Sequence, residues 1–376
     1  MSEHALETAA GNRAHALPGR IDPMRWLVRI VLAVAVITPP MYLSDSWLRV
    51  GAYVMIGAVA AIGLTLLTGQ AGQLSLATPF FMFVGGASYC VLGSPHRPGR
   101  WGLGWPSLIA VVGAVLIASV LGLVFAPVAG RVRGVYLGVA TLSLVYIGLY
   151  TGQKYDSITG GTASGRSVPD LKIFEFSVLR AGHRDERIWY VFLVLTTLAY
   201  LLAQGAINSR PGRAWRVVRD NESAAAALGV PVPRVRAEAF AISSGYAGLA
   251  GVMTVFWYRL FKPDESEFVG TYSIQVAIAI LAMILIGGLG SVAGAIAGAA
   301  LVNGMPGALN LWFGHSHVFG HGAKAVTPVI FTAFVYGTAI VLVVLFEPGG
   351  LAALGRRVQR KLSRNLLGSS LISEGN

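Results

Sequence analysis

Ten stretches of this chain are apolar over close to the length a helix needs to cross a bilayer, about 20 residues. They run over 26–43, 49–69, 74–93, 105–129, 134–152, 188–206, 237–259, 272–288, 290–307 and 327–346. Lipid offers the backbone no hydrogen-bond partners, and a helix satisfies its own N–H and C=O groups within the segment. An all-α membrane protein of about ten transmembrane helices is therefore expected. The third and ninth stretches are the richest in glycine, proline or polar residues, so eight full spans with two broken ones is the alternative count. Composition agrees. Only 12% of the 376 residues are charged, half of the roughly 25% usual in soluble domains. That excludes the two or three soluble domains the length alone would permit.

Basic residues supply the expected sidedness, since cytoplasmic loops are enriched in Lys and Arg. Segment 207–236 carries Arg210, Arg213, Arg216, Arg219, Arg234 and Arg236 against Asp220 and Glu222. The stretch after the last span carries Arg356, Arg357, Arg360, Lys361 and Arg364 against Glu374, and 130–133 holds Arg131 and Arg133. By contrast, 260–271 has Asp264, Glu265 and Glu267 against Lys262, and 153–187 is nearly balanced. Ten spans place every arginine-rich segment on one side. The expected organisation is a cytoplasmic tail at 1–25, a transmembrane domain at 26–346 and a basic cytoplasmic tail at 347–376. The domain has an outer loop at 153–187 and a cytoplasmic loop at 207–236. Both termini then lie inside, and the chain is a multi-pass protein of a bacterial inner membrane.

Several function classes drop out. A net charge of +12 would suggest nucleic acid in a soluble protein; basic residues confined to a few loops are orientation signals instead, so no nucleic-acid partner is expected. The single Cys90 lies in an apolar run and permits neither a disulfide framework nor a cysteine metal site. Residues 1–25 lack the short apolar core and cleavage site of a signal peptide. His315, His317 and His321 fall within seven residues, but no Cys or acidic partner is near, and a wet polar loop explains them better than zinc. No metal site is expected. The chain has no G-x-x-x-x-G-K-[ST] phosphate loop and no G-x-S-x-G or H-E-x-x-H site. It is expected to be no enzyme and to carry no cofactor. No mid-span Asp or Glu offers a proton relay, although sodium coupling through backbone carbonyls stays open.

Three segments carry information. The first, Gly69–Pro79, puts two glycines, two glutamines, a serine, a threonine and a proline at the join of the second and third spans. Such a stretch survives at membrane depth only where it is buried in protein or lines a wet cavity. Gln70, Gly72, Gln73, Ser75 and Thr78 are thus candidate translocation-pathway residues; the alternative is a cytoplasmic turn followed by a Pro-kinked helix. In the second, Gly287–Gly298, the residues Gly290, Gly294 and Gly298 form two small-xxx-small steps suited to close helix packing. Gly287–Gly290 also reads as the turn between the eighth and ninth spans. The third, Ser209–Val230, spaces Arg213, Arg216 and Arg219 three apart on one side of a helix, with Trp215 and Val218 on another. Asn221 reads as the N-cap of an alanine-rich helix that Gly229 stops. These two short helices fit a docking surface for a partner or an anchor on anionic headgroups.

Six motifs in order carry a family resemblance: G-L-T-L-L-T-G-Q-A-G-Q-L-S-L (63–76), R-V-R-G-V-Y-L-G-V-A-T-L (131–142), T-G-G-T-A-S-G (159–165), G-R-A-W-R-V-V-R-D-N-E-S-A-A-A-A-L-G-V (212–230), G-G-L-G-S-V-A-G-A-I-A-G-A (287–299) and E-P-G-G-L (347–351). Together, from about residue 50 to 351, the chain resembles the branched-chain amino acid ABC transporter permeases, and within them the M-type subunit. The resemblance implies type II ABC importer permease architecture and transport of branched-chain or related amino acids. It also implies a second permease subunit, two ATP-binding cassette ATPase subunits that hold ATP and Mg, and an extracytoplasmic solute-binding protein. It makes the arginine-rich segment an ATPase-coupling loop, with Arg213, Arg216, Arg219, Glu222, Ala224, Ala225 and Gly229 as its site residues.

The chain departs from the family in three places. Ala77-Thr78 stand where G-H is usual after L-S-L, Glu347 stands where a basic residue is usual, and 90–104 has no clear counterpart. These bear on the substrate more than on the fold. Related permeases carry urea and short amides, which is the alternative substrate class. A stand-alone carrier or channel, or a structural subunit of a larger membrane complex, are the competing functions.

Overall fold

The computed structural model describes residues 37–132, 135–173, 176–177, 183–263 and 271–313, with scattered positions from 331 to 353. Residues 37–43 fall in a first unit and form a 3-10 turn, Pro39–Met41, with the Leu43 N–H on the Pro39 carbonyl. The second unit begins at Ser44 and holds the helical bundle.

Its elements in chain order are α1 (Asp45–Leu64, continuing into a π turn, Thr65–Gln70), α2 (Thr78–Gly93), α3 (Ser107–Arg131) and α4 (Val135–Lys154). There follow α5 (Arg184–Asn208), α6 (Arg210–Asp220), α7 (Glu222–Ala227), α8 (Val232–Tyr258) and α9 (Ile274–Gly287). The last continuous run is α10 (Val292–Ala299), a second π turn (Ala300–Gly304) and α11 (Met305–Phe313). Helices thus occupy eight of the ten predicted stretches. The first, 26–43, lies almost wholly outside the described residues; in the tenth, the described positions from Phe331 to Leu345 are helical. The tails at 1–25 and 354–376, and His315, His317 and His321, also lie outside the described residues.

Among the described residues, five helical runs are long and apolar enough to cross a membrane: Asp45–Gln70, Ser107–Val128, Arg184–Asn208, Val232–Tyr258 and Val292–Trp312. The short apolar helices among these residues are those of the third and eighth stretches, whereas the ninth, expected to be one of the broken ones, continues through its π turn. α2 has 16 residues and α9 has 14, so they extend about 24 and 21 Å at 1.5 Å per residue, against a core of about 30 Å. α2 begins late because Gly72–Ala77 is irregular, and Thr78-Pro79 supplies a first turn in which the missing proline N–H costs nothing. α9 stops at Gly288, whose φ of 106° leaves the helical region. The ninth stretch starts on a Ser291 side-chain cap and passes through its π turn to Phe313. The loops at 153–187 and 207–236 are more ordered than loops. The first contains single helical turns at Asp156–Thr159 and Gly161–Ser164 and the start of α5, and the second is largely α6, α7 and the start of α8.

The centre is built on α1 and α8, each with 78% of its most apolar window buried, whereas α3 and α5 bury only 22% and 17%. On α3, Leu108, Ile109, Val112, Leu116, Val120 and Val124 are exposed at helical spacing. An apolar stripe this long, left open to the surroundings, is a surface suited to lipid or to a partner protein. The opposite side of α3 repeats a small residue every fourth position. Ala110, Ala114, Ala118, Gly122 and Ala126 are all buried, and a Cβ added to Gly248 of α8 would crowd Ala118. The α2–α8 crossing is closer still: a Cβ on Gly85 would collide with the Gly248 carbonyl, and one on Gly251 with the Met82 carbonyl. Without a hydrophobic drive between helices in lipid, small residues let backbones reach van der Waals distance.

Segments expected on one side of the membrane meet one another. At one end, a two-residue pairing joins Arg166–Ser167 to Leu260–Phe261. The buried Arg166 guanidinium there donates to the Ile158 and Trp101 carbonyls, and burial pulls its pKa below the ordinary arginine value. At the same end Arg49 Nε lies 2.9 Å from Asp185 Oδ2, and Arg184 donates to the Trp257 carbonyl at 2.8 Å. The other end gathers 69–78, 209–236 and 288–291.

Candidate functional site

The last carbonyls of any helix lack intrahelical partners, and α1 ends in a way that leaves them especially available. Its π turn admits an extra residue per turn, a feature that often marks functional positions. Ala71 N–H returns to the Leu66 carbonyl at 3.2 Å and Gln73 N–H to the Leu67 carbonyl at 3.1 Å. Gly72, at φ +70°, then turns the chain into the irregular segment. The Gly69 carbonyl is taken by Arg219 Nη1 from α6, at 2.7 Å.

The five pathway residues expected from sequence sit together in this break. Gln70, Gln73, Ser75 and Thr78 are between 3% and 6% exposed, so the segment is packed in protein and does not line an open wet channel in this conformation. Gln70 Nε2 donates to the Gly290 carbonyl at 2.8 Å, and Gln73 Nε2 to the Arg236 carbonyl at 3.3 Å. Ser75 Oγ accepts from Ala77 N–H at 3.3 Å, and Thr78 opens α2. Gly72 is exposed, facing Arg219. Two polar atoms of the π turn, Thr65 Oγ1 and Gln70 Oε1, are buried without a hydrogen-bond partner. Sequence reasoning passed over Thr141, whose hydroxyl accepts from Leu76 N–H at 2.9 Å and donates to the Gly138 carbonyl. Its place in the A-T-L block was the only signal available.

The residues expected to form a coupling loop divide by what they touch. α6 is held by Gly212, Trp215 and Val218, all buried, while Arg213 and Arg216 are exposed. Those two arginines reach back to the end of α5: Arg213 Nη1 to the Asn208 carbonyl at 3.3 Å and Arg216 Nη2 to the Ile207 carbonyl at 3.4 Å. Cations at a helix C-terminus complement its dipole. Arg219 serves a different helix, α1, and is braced by Asp220 at 2.9 Å. Asn221 Oδ1 accepts from Ala224 N–H and caps α7, and Gly229 ends it at φ +80°. Glu222 pairs with Arg236 Nη2 at 2.9 Å. Ala225 is fully buried; Ala224, Ala226, Ala227, Leu228 and Gly229 are exposed.

The three glycines expected to pack helices are split. Gly290 precedes α10 and, at φ +84°, forms part of the turn. A Cβ on Gly69 would stand 2.5 Å from the Gly290 nitrogen, so the two backbones touch there. Gly294 and Gly298 lie on α10 against α9, where a Cβ on either would strike the Gly287 or Met283 carbonyl. Gly350 closes the same corner, its Cβ position 2.5 Å from Gly288 Cα. Five of the six motifs therefore contribute to one end of the bundle, through Gly69, Thr141, Arg219, Gly290 and Gly350. The sixth, 159–165, sits at the other end, where Thr159 Oγ1 donates to the Gly152 carbonyl at 2.7 Å.

Comparison with known proteins agrees with this pattern. Residues 46–344 match the family model described as branched-chain amino acid transport system / permease component. Among similar curated proteins, the high-affinity branched-chain amino acid transport system permease protein LivM of Escherichia coli K12 is 26% identical over 284 residues. That alignment covers 70% of this chain and 64% of the relative. LivM of Salmonella typhimurium LT2 is 27% identical over 306 residues, covering 76% and 69%. The autoinducer 2 import system permease protein LsrC of Yersinia pseudotuberculosis PB1/+ is 28% identical over 276 residues, covering 69% and 70%. The matched region thus spans about two thirds of these relatives' length, and just under two thirds of the first. No solved structure matches. With the family model running over most of the chain and five of the six motifs gathered at one joint, this protein belongs to the family of branched-chain amino acid transport system permease components.

Proposed function

We propose that this chain is the membrane-spanning permease subunit of an ATP-driven importer for branched-chain or related amino acids in a bacterial inner membrane. In this reading it pairs with a second permease subunit. Two separate ATPase subunits bind and hydrolyse ATP with Mg, and an extracytoplasmic binding protein delivers the solute. The joint of α1, α6, α7 and α10 faces the cytoplasm, together with both termini. The substrate class is carried over from the LivM relatives, whose names state it.

The observation that carries the reading is the build of α7. One face is anchored through the buried Ala225 and the Glu222–Arg236 pair, while Ala224, Ala227 and Leu228 face outward with small or apolar side chains, Leu228 being 78% exposed. A short, rigidly rooted apolar knob beside a basic helix suits insertion into a cleft of a soluble ATPase. On the same reading, the break at Gln70–Thr78 is part of the translocation pathway, closed in this conformation. Thr65 Oγ1 and Gln70 Oε1 are the polar atoms left to accept a new hydrogen bond when it opens.

Leu228→Asp tests the docking face with little risk to the fold, because the side chain is exposed. With its cognate ATPase co-expressed, the amount of ATPase recovered with the permease is expected to fall about ten-fold, the loss that follows from removing one central apolar contact. Recovery equal to the unaltered chain would remove α7 as the docking element.

A further inference from the structure

The three arginines of α6 are evenly spaced in sequence, yet they do different things. Arg213 and Arg216 return to the carbonyls at the end of α5, the helix that immediately precedes them. Those contacts are local, nine residues apart at most, and they stiffen a single corner. Arg219 reaches 150 residues back in sequence to the Gly69 carbonyl at 2.7 Å. That carbonyl belongs to the final turn of α1, where the π turn and the irregular segment after it leave the helix without a continuing backbone donor. A guanidinium placed there both fills an orphan acceptor and sits at the negative end of the α1 dipole.

The contact is shaped as well as charged. Gly72 turns at φ +70°, and a Cβ on it would stand 2.7 Å from Arg219 Cγ, so the aliphatic stem of the arginine occupies the space a side chain would need. Asp220 holds the other edge of the guanidinium, with Oδ1 3.0 Å from Nε and 2.9 Å from Nη2. The residue that follows, Asn221, caps α7. Arg219 is therefore the last residue but one of α6, three positions before α7 begins, and it grips the end of the central helix by its backbone. A second strut runs in parallel from Glu222 through Arg236 to Gln73, but its final step is a longer 3.3 Å bond from a side-chain amide.

We infer that Arg219 is the positioning residue that transmits movement of the α6–α7 segment to the break between α1 and α2, acting as a C-cap of α1 supplied from another helix. This rests on the proposed function: the segment must be moved by an ATPase for there to be anything to transmit. A displacement of α7 then pulls on the Gly69 carbonyl, and the neighbouring Gln70–Gly290 bond, 2.8 Å long, is the adjacent closure that gives way.

Arg219→Met keeps the stem against Gly72 and deletes the guanidinium, and Arg219→Lys restores a cation with a single donor group. Both are compared with the unaltered chain in the complete transporter, reconstituted in proteoliposomes with partner permease, ATPases and binding protein. Solute uptake and ATP hydrolysis are followed in the same vesicles, with [14C]leucine as the probe. For Arg219→Met the ratio of leucine transported to ATP hydrolysed is expected to fall about ten-fold, within the range of coupling energies between sites, and Arg219→Lys is expected to recover part of it. A ratio for Arg219→Met within two-fold of the unaltered chain would overturn the inference while leaving the proposed function intact. So would failure of the Met variant to enter the complex, since the residue would then serve assembly instead of transmission. Absence of ATP-driven uptake by the unaltered complex would instead sink the proposed function itself.

Discussion

Gly251→Val is expected to prevent the bundle from forming. At this position the α8 backbone lies so close to α2 that a Cβ would collide with the Met82 carbonyl oxygen, and further atoms of Met82 lie 2.6 to 2.7 Å away. The obstruction is backbone in the middle of a helix, so it cannot be relieved by a rotamer change. Overpacking a well-filled core usually costs about 1–3 kcal/mol and more where backbone must shift, against a total stability of roughly 5–15 kcal/mol. α8 is also the helix against which α1, α2 and α3 pack, so separation at this crossing spreads to the rest of the bundle. In detergent, the valine variant should lose the monodisperse peak in fluorescence-detected size exclusion. Gly205→Ala is the matched control: it lies on α5 with nothing within 4 Å of its added Cβ. It should match or exceed the unaltered chain in melting temperature, since alanine is favoured over glycine in a helix by about 1 kcal/mol. A valine variant that purifies and melts normally would mean that α2 and α8 do not approach this closely.

The second large effect is on transport and leaves the bundle in place. Glu222→Lys combined with Gly229→Pro should reduce ATP-driven uptake about 100-fold, toward the upper end of measured coupling energies between sites. A lysine at 222 faces Arg236 in place of the carboxylate now 2.9 Å from it, and so frees the residue whose carbonyl holds Gln73. Proline at 229 cannot adopt the φ of +80° that ends α7, and it deletes the N–H that reaches the Ala226 carbonyl at 3.0 Å. Both changes lie at the surface end of the bundle, so the chain should insert and purify as before. Uptake within two-fold of the unaltered transporter would remove α7 from the coupling path.

Much of the bundle was legible because lipid imposes a strong rule. Apolar runs near 20 residues mark helices whatever their neighbours, and the two acidic or balanced loops expected on one side, 153–187 and 260–271, pair with each other in the structure. Span lengths were less legible. α9 ends at Gly288 and α2 waits until Thr78, because glycine torsions and irregular backbone set those limits, and hydropathy does not register torsion. The ninth stretch, glycine-rich and apparently weak, runs to Phe313 because Gly294 and Gly298 pack against α9 without breaking the helix. The polar break at Gly69–Thr78 was visible as a chemical anomaly, and so was the basic segment after α5. Their contact was not visible. A guanidinium bonding a carbonyl 150 residues away leaves no periodic trace, and Arg219 shares its three-residue spacing with two arginines that do something else. Thr141 was hidden for a similar reason: a threonine in an apolar helix looks like ordinary lipid-tolerant sequence until Leu76 N–H is seen on its hydroxyl.

The proposed function rests on one claim: solute movement through this chain is driven by ATP hydrolysed on another subunit. The most direct measurement is uptake of labelled leucine, isoleucine or valine into proteoliposomes, with the chain alone in one set and with its partner permease, ATPases and binding protein in the other. Accumulation is expected only in the complete set and only when ATP is supplied on the side that holds the α6–α7 segment. Equilibration of the solute by the chain alone, or accumulation by the complete set without ATP, would contradict it.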